Sequence, residues 1–245
     1  MVTQNGSTEA STDRELFALL GAIASGDRAV VRRLLDQAPH LASVPMRVAA
    51  SRQDATTYFL AAIRHYVYAG DTALHIAGAA YRRELAESLV ARGAEVRARN
   101  RRGAEPLHYA ADGGPGTNHE DPAAQGDVIA YLIAAGADPN AVDKSGVAPL
   151  HRAVRHRCSA AAGSLIDNGA DPLLTNRRGS TPLHLAVQNT GKSNSGSDAC
   201  KDEQGRLIAL LLRHGASPND TDANGRSVAD AASSDWVRQR LGIVR

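Results

Sequence analysis

Four histidines are the first residues whose types and spacing could support chemistry. His75, His108, His151 and His184 each follow a leucine, and the first two and the last two are both 33 residues apart. Histidine is a common zinc ligand, and zinc holds its ligands at about 2 Å. Packed helices lie about 8–10 Å apart, so histidines at equivalent places on successive helices are too far apart to share one ion. No metal site is predicted here.

Two other segments contain groups that bind metals. The segment DTDANG (220–225) matches the start of an EF-hand calcium loop, but its twelfth position is Ala231, where a bidentate Glu is needed. The segment HED (119–121) could bind a metal weakly, and we interpret it as a solvated loop. The sequence has no Walker A, Gly-x-Ser-x-Gly, His-Glu-x-x-His or Cys-x-x-Cys motif. We therefore expect neither a cofactor nor catalysis.

The composition favours a core of small aliphatic side chains. Hydrophobic residues make up 43% of the 245 residues, but aromatic residues only 4%. A core made mostly of Ala and Leu suits thin, closely packed helices better than a large sheet. The net charge of +2 does not by itself indicate nucleic acid. The basic residues are 25 Arg and 3 Lys, which fits either forked contacts to acidic groups or a coding bias.

The histidines belong to a longer motif that recurs four times, as GDTALHIA (70–77), GAEPLHYA (103–110), GVAPLHRA (146–153) and GSTPLHLA (179–186). A second motif follows each copy: GAEVR at Gly93, GADPN at Gly136, GADPL at Gly169 and GASPN at Gly215. Such a period indicates stacked repeats. The linked motifs resemble those of ankyrin repeats, strongly over residues 70–225 and more weakly towards both ends.

The resemblance implies an all-α solenoid of helix-turn-helix repeats with hairpin fingers between them. It also implies a structural role for the four histidines, which tie neighbouring turns together in this family. Because no repeat buries its apolar face alone, stability would come from stacking. Partners of such proteins are usually held by the finger tips and by the exposed side of the first helices.

The spacing between motifs locates insertions. The interval from His108 to Gly136 exceeds that from His75 to Gly93 by ten residues, and the interval from His184 to Gly215 exceeds it by thirteen. These insertions (112–127 and 188–206) read as loops or as an additional contact surface. The predicted segments are a disordered N-terminus (1–11), a degenerate N-terminal cap repeat (12–46), an inserted helix (47–69), repeat 1 (70–99), repeat 2 (100–142), repeat 3 (143–175), repeat 4 (176–221) and a truncated C-terminal cap repeat (222–245).

The insertion at 47–69 lies in the first finger and contains four of the nine aromatic residues. Residues 51–54 offer an N-terminal cap, and Phe59, Leu60, Ile63 and Val67 recur at helical spacing, which predicts an extra helix of about three or four turns. Its aromatic residues have two interpretations. They attach the helix to the array, or Tyr58, Tyr66 and Tyr68, with Arg64 and His65, wall one end of the concave groove.

The predicted contact surface is basic. Counting from each motif histidine gives the finger tips and the exposed helix positions, and the candidate partner-binding residues among them are Tyr66, Tyr68, Arg101, Arg102, Lys144, Arg155, His156, Arg177 and Arg178. Basic finger tips serve solubility or bind an acidic partner. Nucleic acid is the weaker hypothesis, because no aromatic residues interleave with these arginines to stack bases.

We therefore expect a non-enzymatic protein–protein interaction module that acts as a monomer. The alternative is an enzyme or small-molecule binder with a pocket between the inserted segment 47–69 and the first repeats. The polar N-terminus, the two cysteines and the lack of an apolar run of about 18 residues favour a cytoplasmic protein without a membrane span. Cys158 and Cys200 lie on one edge of adjacent repeats; we expect thiols, with a bridge as the alternative.

Overall fold

The computed structural model describes residues 3–50, 56–113, 121–188 and 197–243, with side chains from residue 11 onwards. Within these ranges the chain forms twelve α-helices and one small hairpin. The helices are α1 (Thr3–Ser25), α2 (Arg28–Gln37), α3 (Ala73–Ala79), α4 (Arg83–Ala91), α5 (Pro106–Ala110), α6 (Pro122–Ala134), α7 (Pro149–Arg155), α8 (Ser159–Asp167), α9 (Pro182–Ala186), α10 (Asp198–Arg213), α11 (Val228–Ala231) and α12 (Asp235–Arg240). The strands are β1 (Phe59–Leu60) and β2 (His65–Tyr66), which pair antiparallel. In the described ranges, no helix combines the length and the apolarity needed to cross a bilayer.

Repeats 2, 3 and 4 begin their first helix in the same way, and all four repeats end their second helix in the same way. Proline occupies the first position of α5, α7 and α9, where the helix needs no N–H donor. The second helices α4, α6, α8 and α10 are followed by glycines with φ between 88° and 107° (Gly93, Gly136, Gly169 and Gly215). A left-handed residue after the last turn is the usual helix stop, and glycine adopts it without strain.

The helices stack in two layers. First helices pack on first helices in the order α3, α5, α7, α9, and second helices follow the order α4, α6, α8, α10. The buried side chains form one continuous core along the array, and its first-helix layer contains the motif leucines and alanines Leu74, Leu107, Leu150, Leu183, Ala77, Ala110, Ala153 and Ala186. The all-α solenoid predicted from the sequence is confirmed.

The N-terminal cap is longer than predicted. Residues 1–11 were expected to be disordered, with a helix starting near Thr12 and Glu15, but α1 already begins at Thr3. This expectation is wrong for residues 3–11. The buried face of α1, with Leu16, Leu19, Leu20 and Ile23, fixes the helix against α3. Once a helix is nucleated, adding residues at its end costs little free energy, and no proline interrupts the extension.

The predicted inserted helix at 47–69 is wrong. Residues 56–69 form a 3-10 turn (Thr56–Tyr58), strand β1, a second 3-10 turn (Ala61–Ile63) and strand β2. Arg64 adopts a left-handed backbone with φ 51°, which a continuous helix does not tolerate. The segment is rich in β-branched and aromatic residues, which fit a pleated ribbon. We call residues 56–69 the hairpin segment. The proposed cap at 51–54 lies outside the described residues.

The two insertions between helices are only partly loops. Helix α6 has 13 residues and α10 has 16, whereas α4 and α8 have nine each. The inserted residues nearest each second helix therefore extend that helix at its N-terminus. Asp121 and Ser197 cap the extensions by accepting hydrogen bonds from Ala124 N–H at 3.0 Å and Cys200 N–H at 3.3 Å. Residues 114–120 and 189–196 lie outside the described residues.

Main-chain hydrogen bonds join successive finger tips. Arg101 N–H donates to Ala69 O at 2.9 Å, and Lys144 N–H donates to Arg102 O at 2.9 Å. The next two links run from Arg177 N–H to Ser145 O at 3.4 Å and from Ala223 N–H to Arg178 O at 3.0 Å. We call this row of four links the finger ladder. It fixes the spacing of the finger-tip residues through the backbone.

Candidate functional site

Each motif histidine connects the start of its own first helix to the next finger. Nδ1 of His75 accepts a hydrogen bond from Thr72 N–H at 3.1 Å, so its proton lies on Nε2, which donates to Ala104 O at 3.1 Å. The same two-sided arrangement occurs at His108, His151 and His184, whose Nε2 atoms donate to Val147 O, Ser180 O and Arg226 O. These contacts have the tying geometry that the family resemblance implies.

The environments of His75, His108 and His151 oppose protonation. Burial lowers the pKa of His75 and His151, and it lowers the pKa of His108 to about 3. Neutral rings with both nitrogens already hydrogen-bonded offer no lone pair to a metal. No group of three His, Cys, Asp or Glu side chains that could hold a metal ion occurs in the part of the chain that the structure describes. Of the segment 119–121, only Asp121 is described, and it caps α6.

A groove of about 770 Å³ opens between the hairpin segment and the first helices. Its lining includes Ala79, Ala80 and Gly113, which lie at or just after the ends of α3 and α5 and leave room because their side chains are small or absent. The hairpin segment contributes Ile63, Arg64, His65 and Tyr68 to the lining, and Arg152 and His156 also line the groove. This is the place where the alternative interpretation of the sequence put a pocket.

Beneath the groove lies a buried polar cluster that joins repeats 1 and 2. Asp71 is fully buried, and its Oδ1 accepts hydrogen bonds from Tyr109 Oη at 2.8 Å and from Asn100 Nδ2 at 2.9 Å. Its Oδ2 accepts one from Tyr68 N–H at 2.7 Å. Burial, and then the Asp71 charge, raises the pKa of Tyr109, so the phenol stays protonated and donates. The cluster holds the base of the hairpin segment against the second finger.

Arg152, another residue of the groove lining, is held by two carboxylates. It donates to Asp112 Oδ2 at 3.0 Å and to Asp143 Oδ2 at 3.3 Å, and its side chain is only 16% exposed. Burial alone would raise the pKa of Asp143, but hydrogen bonds from the N–H groups of Val147 and Ser145 and the Arg152 charge leave it below its usual value. Arg152 is therefore neutralised and serves to position Asp112.

Two polar atoms of the groove have no hydrogen-bond partner among the described residues. One is His65 Nε2, and the other is Asp112 Oδ1, which lies 3.6 Å from His156 Nε2. The His65 ring packs on Tyr109 with centroids 4.8 Å apart. Burial lowers the pKa of His65, with Asp112 and Asp71 raising it and Arg152 and Arg102 lowering it. Unsatisfied buried polar atoms are rare in native proteins and indicate a place for water or a ligand.

The structure separates the predicted contact residues into two sets. Tyr68, Arg102 and His156 line the groove, whereas the others lie outside its lining, namely Tyr66, Arg101, Lys144, Arg155, Arg177 and Arg178. The five basic finger-tip residues are all exposed.

The aromatic residues of the insertion have different surroundings. Tyr58 packs edge-on against Phe17 at 5.5 Å and belongs to the core side. Tyr66 stacks on its cross-strand neighbour Phe59 at 4.8 Å and is 40% exposed. Tyr68 lies beneath two arginines, with Arg102 Cζ 4.0 Å and Arg101 Cζ 5.2 Å from its ring centroid. Tyr58 therefore packs against the core of the array, and Tyr68 lines the groove.

Sequence reasoning missed Arg152, Tyr109 and Asp71. Tyr109 and Arg152 follow the motif histidines directly, at the position where the other two repeats have Ile76 and Leu185. A polar or amphipathic residue at a motif position that is otherwise apolar was the available signal. Cys158 and Cys200 are half-buried thiols and are not joined in a disulfide.

Comparison with known proteins agrees with the repeat pattern. A family model described as ankyrin repeats (3 copies) matches residues 79–176 and 121–222, which together cover more than half of the chain. No curated protein matches the sequence.

Proposed function

The chain belongs to the ankyrin-repeat family, whose members generally bind other proteins, and from that premise we propose that it is a non-enzymatic module that holds an acidic partner protein. The partner would lie across the finger tips and into the groove. This proposal concerns the partner's chemistry and the contact residues, which family membership does not specify.

Unneutralised positive charge at the finger tips is the observation that carries the proposal. Arg101, Arg102, Lys144, Arg177 and Arg178 are exposed, and none of them pairs with a carboxylate in the described part of the chain. Arginines elsewhere on the fingers do pair, as Arg99 does with Glu105 at 3.0 Å. A surface of one charge sign attracts a partner of the opposite sign and discriminates against others.

The test is charge reversal at the finger tips. We expect the quadruple variant Arg101→Glu, Arg102→Glu, Arg177→Glu, Arg178→Glu to keep its helical circular dichroism spectrum and to lose the partner recovered by affinity capture and mass spectrometry. A matched control reverses four exposed arginines away from the finger tips: Arg14, Arg32, Arg33 and Arg213. A partner that binds the finger-tip variant with unchanged affinity and salt dependence would overturn the proposal.

A second candidate function is small-molecule binding in the groove, alone or as part of an enzyme. The unsatisfied His65 Nε2 and Asp112 Oδ1 atoms favour it, because a small ligand could satisfy both. A metabolite panel screened by thermal shift tests it. A ligand that raises the melting temperature of the wild-type protein but not that of Asp112→Asn would support this function, and the absence of any such ligand in a broad panel would count against it.

A further inference from the structure

The tetrapeptide Asn-Arg-Arg-Gly occurs twice, at 100–103 and at 176–179, in equivalent fingers 76 residues apart. Its main chain makes the same contacts at both places. Arg101 and Arg177 both donate across the finger ladder. The side-chain oxygens of Asn100 and Asn176 accept from the next-but-one N–H groups, of Arg102 at 2.9 Å and of Arg178 at 2.8 Å. The two arginine pairs therefore share a backbone setting, and any difference comes from their surroundings.

The surroundings differ beneath the guanidinium groups. The first pair lies against the Tyr68 ring, with Arg102 Cζ 4.0 Å from the ring centroid. The second pair has Lys144 at the position equivalent to Tyr68, and Lys144 Nζ donates to Arg101 O at 2.8 Å. An aromatic ring holds a guanidinium by cation–π attraction and limits its freedom. Arg102 is therefore preorganised, whereas no aromatic ring of the described residues lies against Arg177 or Arg178, and the Lys144 ammonium points to the finger of Arg101.

The hairpin segment contributes a further guanidinium to the groove that Arg102 lines. Arg64 is exposed, stands at the left-handed corner of the hairpin and lines the same groove as Tyr68 and Arg102. No carboxylate among the described residues pairs with Arg64, Arg101 or Arg102. Asp112, which lines the same groove, already pairs with Arg152.

Three guanidinium groups favour an anion with more than one charge. A carboxylate accepts one guanidinium fork and carries one negative charge. A phosphomonoester carries about −1.5 to −2 charges at pH 7 and offers three acceptor oxygens, so it can engage several guanidinium groups at once.

We propose that Arg64, Arg101 and Arg102, held around Tyr68, form a binding site for a phosphorylated side chain of the partner protein. This inference rests on the proposed function and narrows it, because it assigns the specific contact to one arginine pair and the chemistry to a phosphomonoester. The pair Arg177 and Arg178 contributes general attraction for an acidic surface and no phosphoryl site.

The direct experiment titrates O-phosphoserine into the full chain labelled with ¹⁵N-arginine, at pH 7.5 and constant ionic strength. The Nε–H signals of Arg64, Arg101 and Arg102, assigned through single Arg→Lys variants, are expected to shift saturably. Acetate, the carboxylate probe, is expected to bind at least about tenfold more weakly. Equal affinity for acetate and phosphoserine would overturn the phosphoryl assignment, and so would the absence of a saturable shift.

Variants test the geometry of the site. Arg102→Gln should weaken phosphoserine binding by about tenfold or more, since it removes a charge-assisted contact. Tyr68→Phe should retain binding because it keeps the ring, whereas Tyr68→Leu should weaken it. Arg177→Gln with Arg178→Gln removes the matched pair and should leave the affinity for this small probe unchanged, although it weakens partner capture. Equal losses from both arginine pairs, or unchanged binding in a folded Tyr68→Leu variant, would contradict the site.

Partner capture separates this inference from the proposed function. If a captured partner depends on the finger tips but binds equally well before and after phosphatase treatment, the module stands and the phosphoryl site fails. If no partner depends on the finger tips, the proposed function fails whatever phosphoserine does.

Discussion

Tyr81 and Arg157 lie 76 residues apart at equivalent positions of repeats 1 and 3, and both have a left-handed backbone, with φ 55° and 62°. Each side chain reaches into the following repeat and donates to a carbonyl at or after the end of that repeat's first helix, which is α5 for Tyr81 and α9 for Arg157. Tyr81 Oη donates to Asp112 O, and Arg157 donates to Ala186 O at 2.8 Å and to Gln188 O.

Each of these inserted repeats adds a glutamine from its own second helix. Gln125 Nε2 donates to Ala110 O at 2.9 Å, and Gln204 Nε2 donates to Ala186 O at 2.8 Å. The carbonyl groups at a helix end must find partners when they are buried. The array is thus built from two similar double repeats, 1–2 and 3–4, each with its insertion in the second member.

Removing the Arg157 contacts should destabilise the array. We expect Arg157→Met to lower the free energy of unfolding by about 1–3 kcal/mol, because it leaves the Gln188 carbonyl without its donor. Urea unfolding followed by circular dichroism measures the change. The exposed neighbour provides the control: Arg155→Met should change the value by less than about 0.5 kcal/mol. Equal effects of the two substitutions would show that the carbonyl contacts contribute little.

Acid should weaken the fold through the motif histidines. The pKa of His108 is about 3 in the folded chain, against 6.5 for an ordinary histidine. Because the pKa of His108 is lower in the folded than in the unfolded chain, the stability that neutral His108 contributes is complete above pH 6.5. It is lost as the pH falls towards 3. Between pH 7 and pH 5 the protonation of this single group should lower the free energy of unfolding by about 2 kcal/mol. Urea titrations at pH 7 and pH 5 should show that His108→Gln loses less unfolding free energy than the wild-type chain. Equal losses in the two proteins would argue against a role of His108 in acid destabilisation.

Glu105 is an acidic residue in a buried position, which disfavours its charged form. It is 1% exposed, and burial raises its pKa although Arg99 and Arg97 oppose this. Because the pKa of Glu105 is raised in the folded chain, the stability that its protonated form contributes is complete below pH 4.5 and is lost as the pH rises. At pH 7 we therefore expect Glu105→Gln to raise the melting temperature, by about 2 °C.

The partner residue of Glu105 completes that test. Arg99→Gln should lower the melting temperature of the wild-type chain, because it leaves Glu105 with less compensation. In the Glu105→Gln background the same change should have little effect. A lower melting temperature for Glu105→Gln alone would contradict the prediction.

Two glycines with the same φ angle should differ in how well they tolerate substitution by alanine. Gly70 and Gly93 both have φ +88°, so alanine at either place costs about 1–2 kcal/mol of backbone strain. A Cβ at Gly70 would stand 2.6 Å from Asn100 Cα, whereas a Cβ at Gly93 meets nothing within 4 Å. Gly70→Ala should therefore cost at least about 1 kcal/mol more than Gly93→Ala in urea unfolding. Similar costs would indicate that the fingers separate easily.

Tyr58 and Tyr66 should differ in how much they contribute to stability. Tyr58→Ala removes the contact with Phe17 and should cost about 2–3 kcal/mol. Tyr66→Ala should cost less than about 1 kcal/mol, because Tyr66 is exposed and its stacking partner Phe59 lies outside the core cluster. Thermal unfolding of both variants provides the measurement. A larger cost for Tyr66 than for Tyr58 would reverse the assignment.

The repeats could be predicted because their signals are local. A proline, leucine and histidine at fixed spacing specify where the first helix begins, and a glycine specifies where the second ends. The hairpin segment could not be predicted in this way. Phe59, Ile63 and Val67 fit a helical period, but the pairing of Phe59 with Tyr66 and the packing of Tyr58 on Phe17 decide the structure. The second contact joins the hairpin segment to α1, which is distant in sequence.

The groove was predictable only in outline. Its position followed from the insertion, and Tyr68, Arg102 and His156 were among the expected contacts. The cluster of Asp71, Asn100 and Tyr109 depends on the register between two repeats. A periodic motif fixes what each repeat contains, but not which polar residues of adjacent repeats will meet.

The finger ladder has a consequence for how this surface can change over evolutionary time. Because main-chain atoms make the links from Arg101 to Ala69 and from Lys144 to Arg102, these links do not depend on which side chains stand at the finger tips. Substitutions there alter what the surface recognises while the distances between neighbouring tips stay constant. The same scaffold can therefore acquire a new partner by drift or by laboratory selection, one side chain at a time, without passing through unstable intermediates.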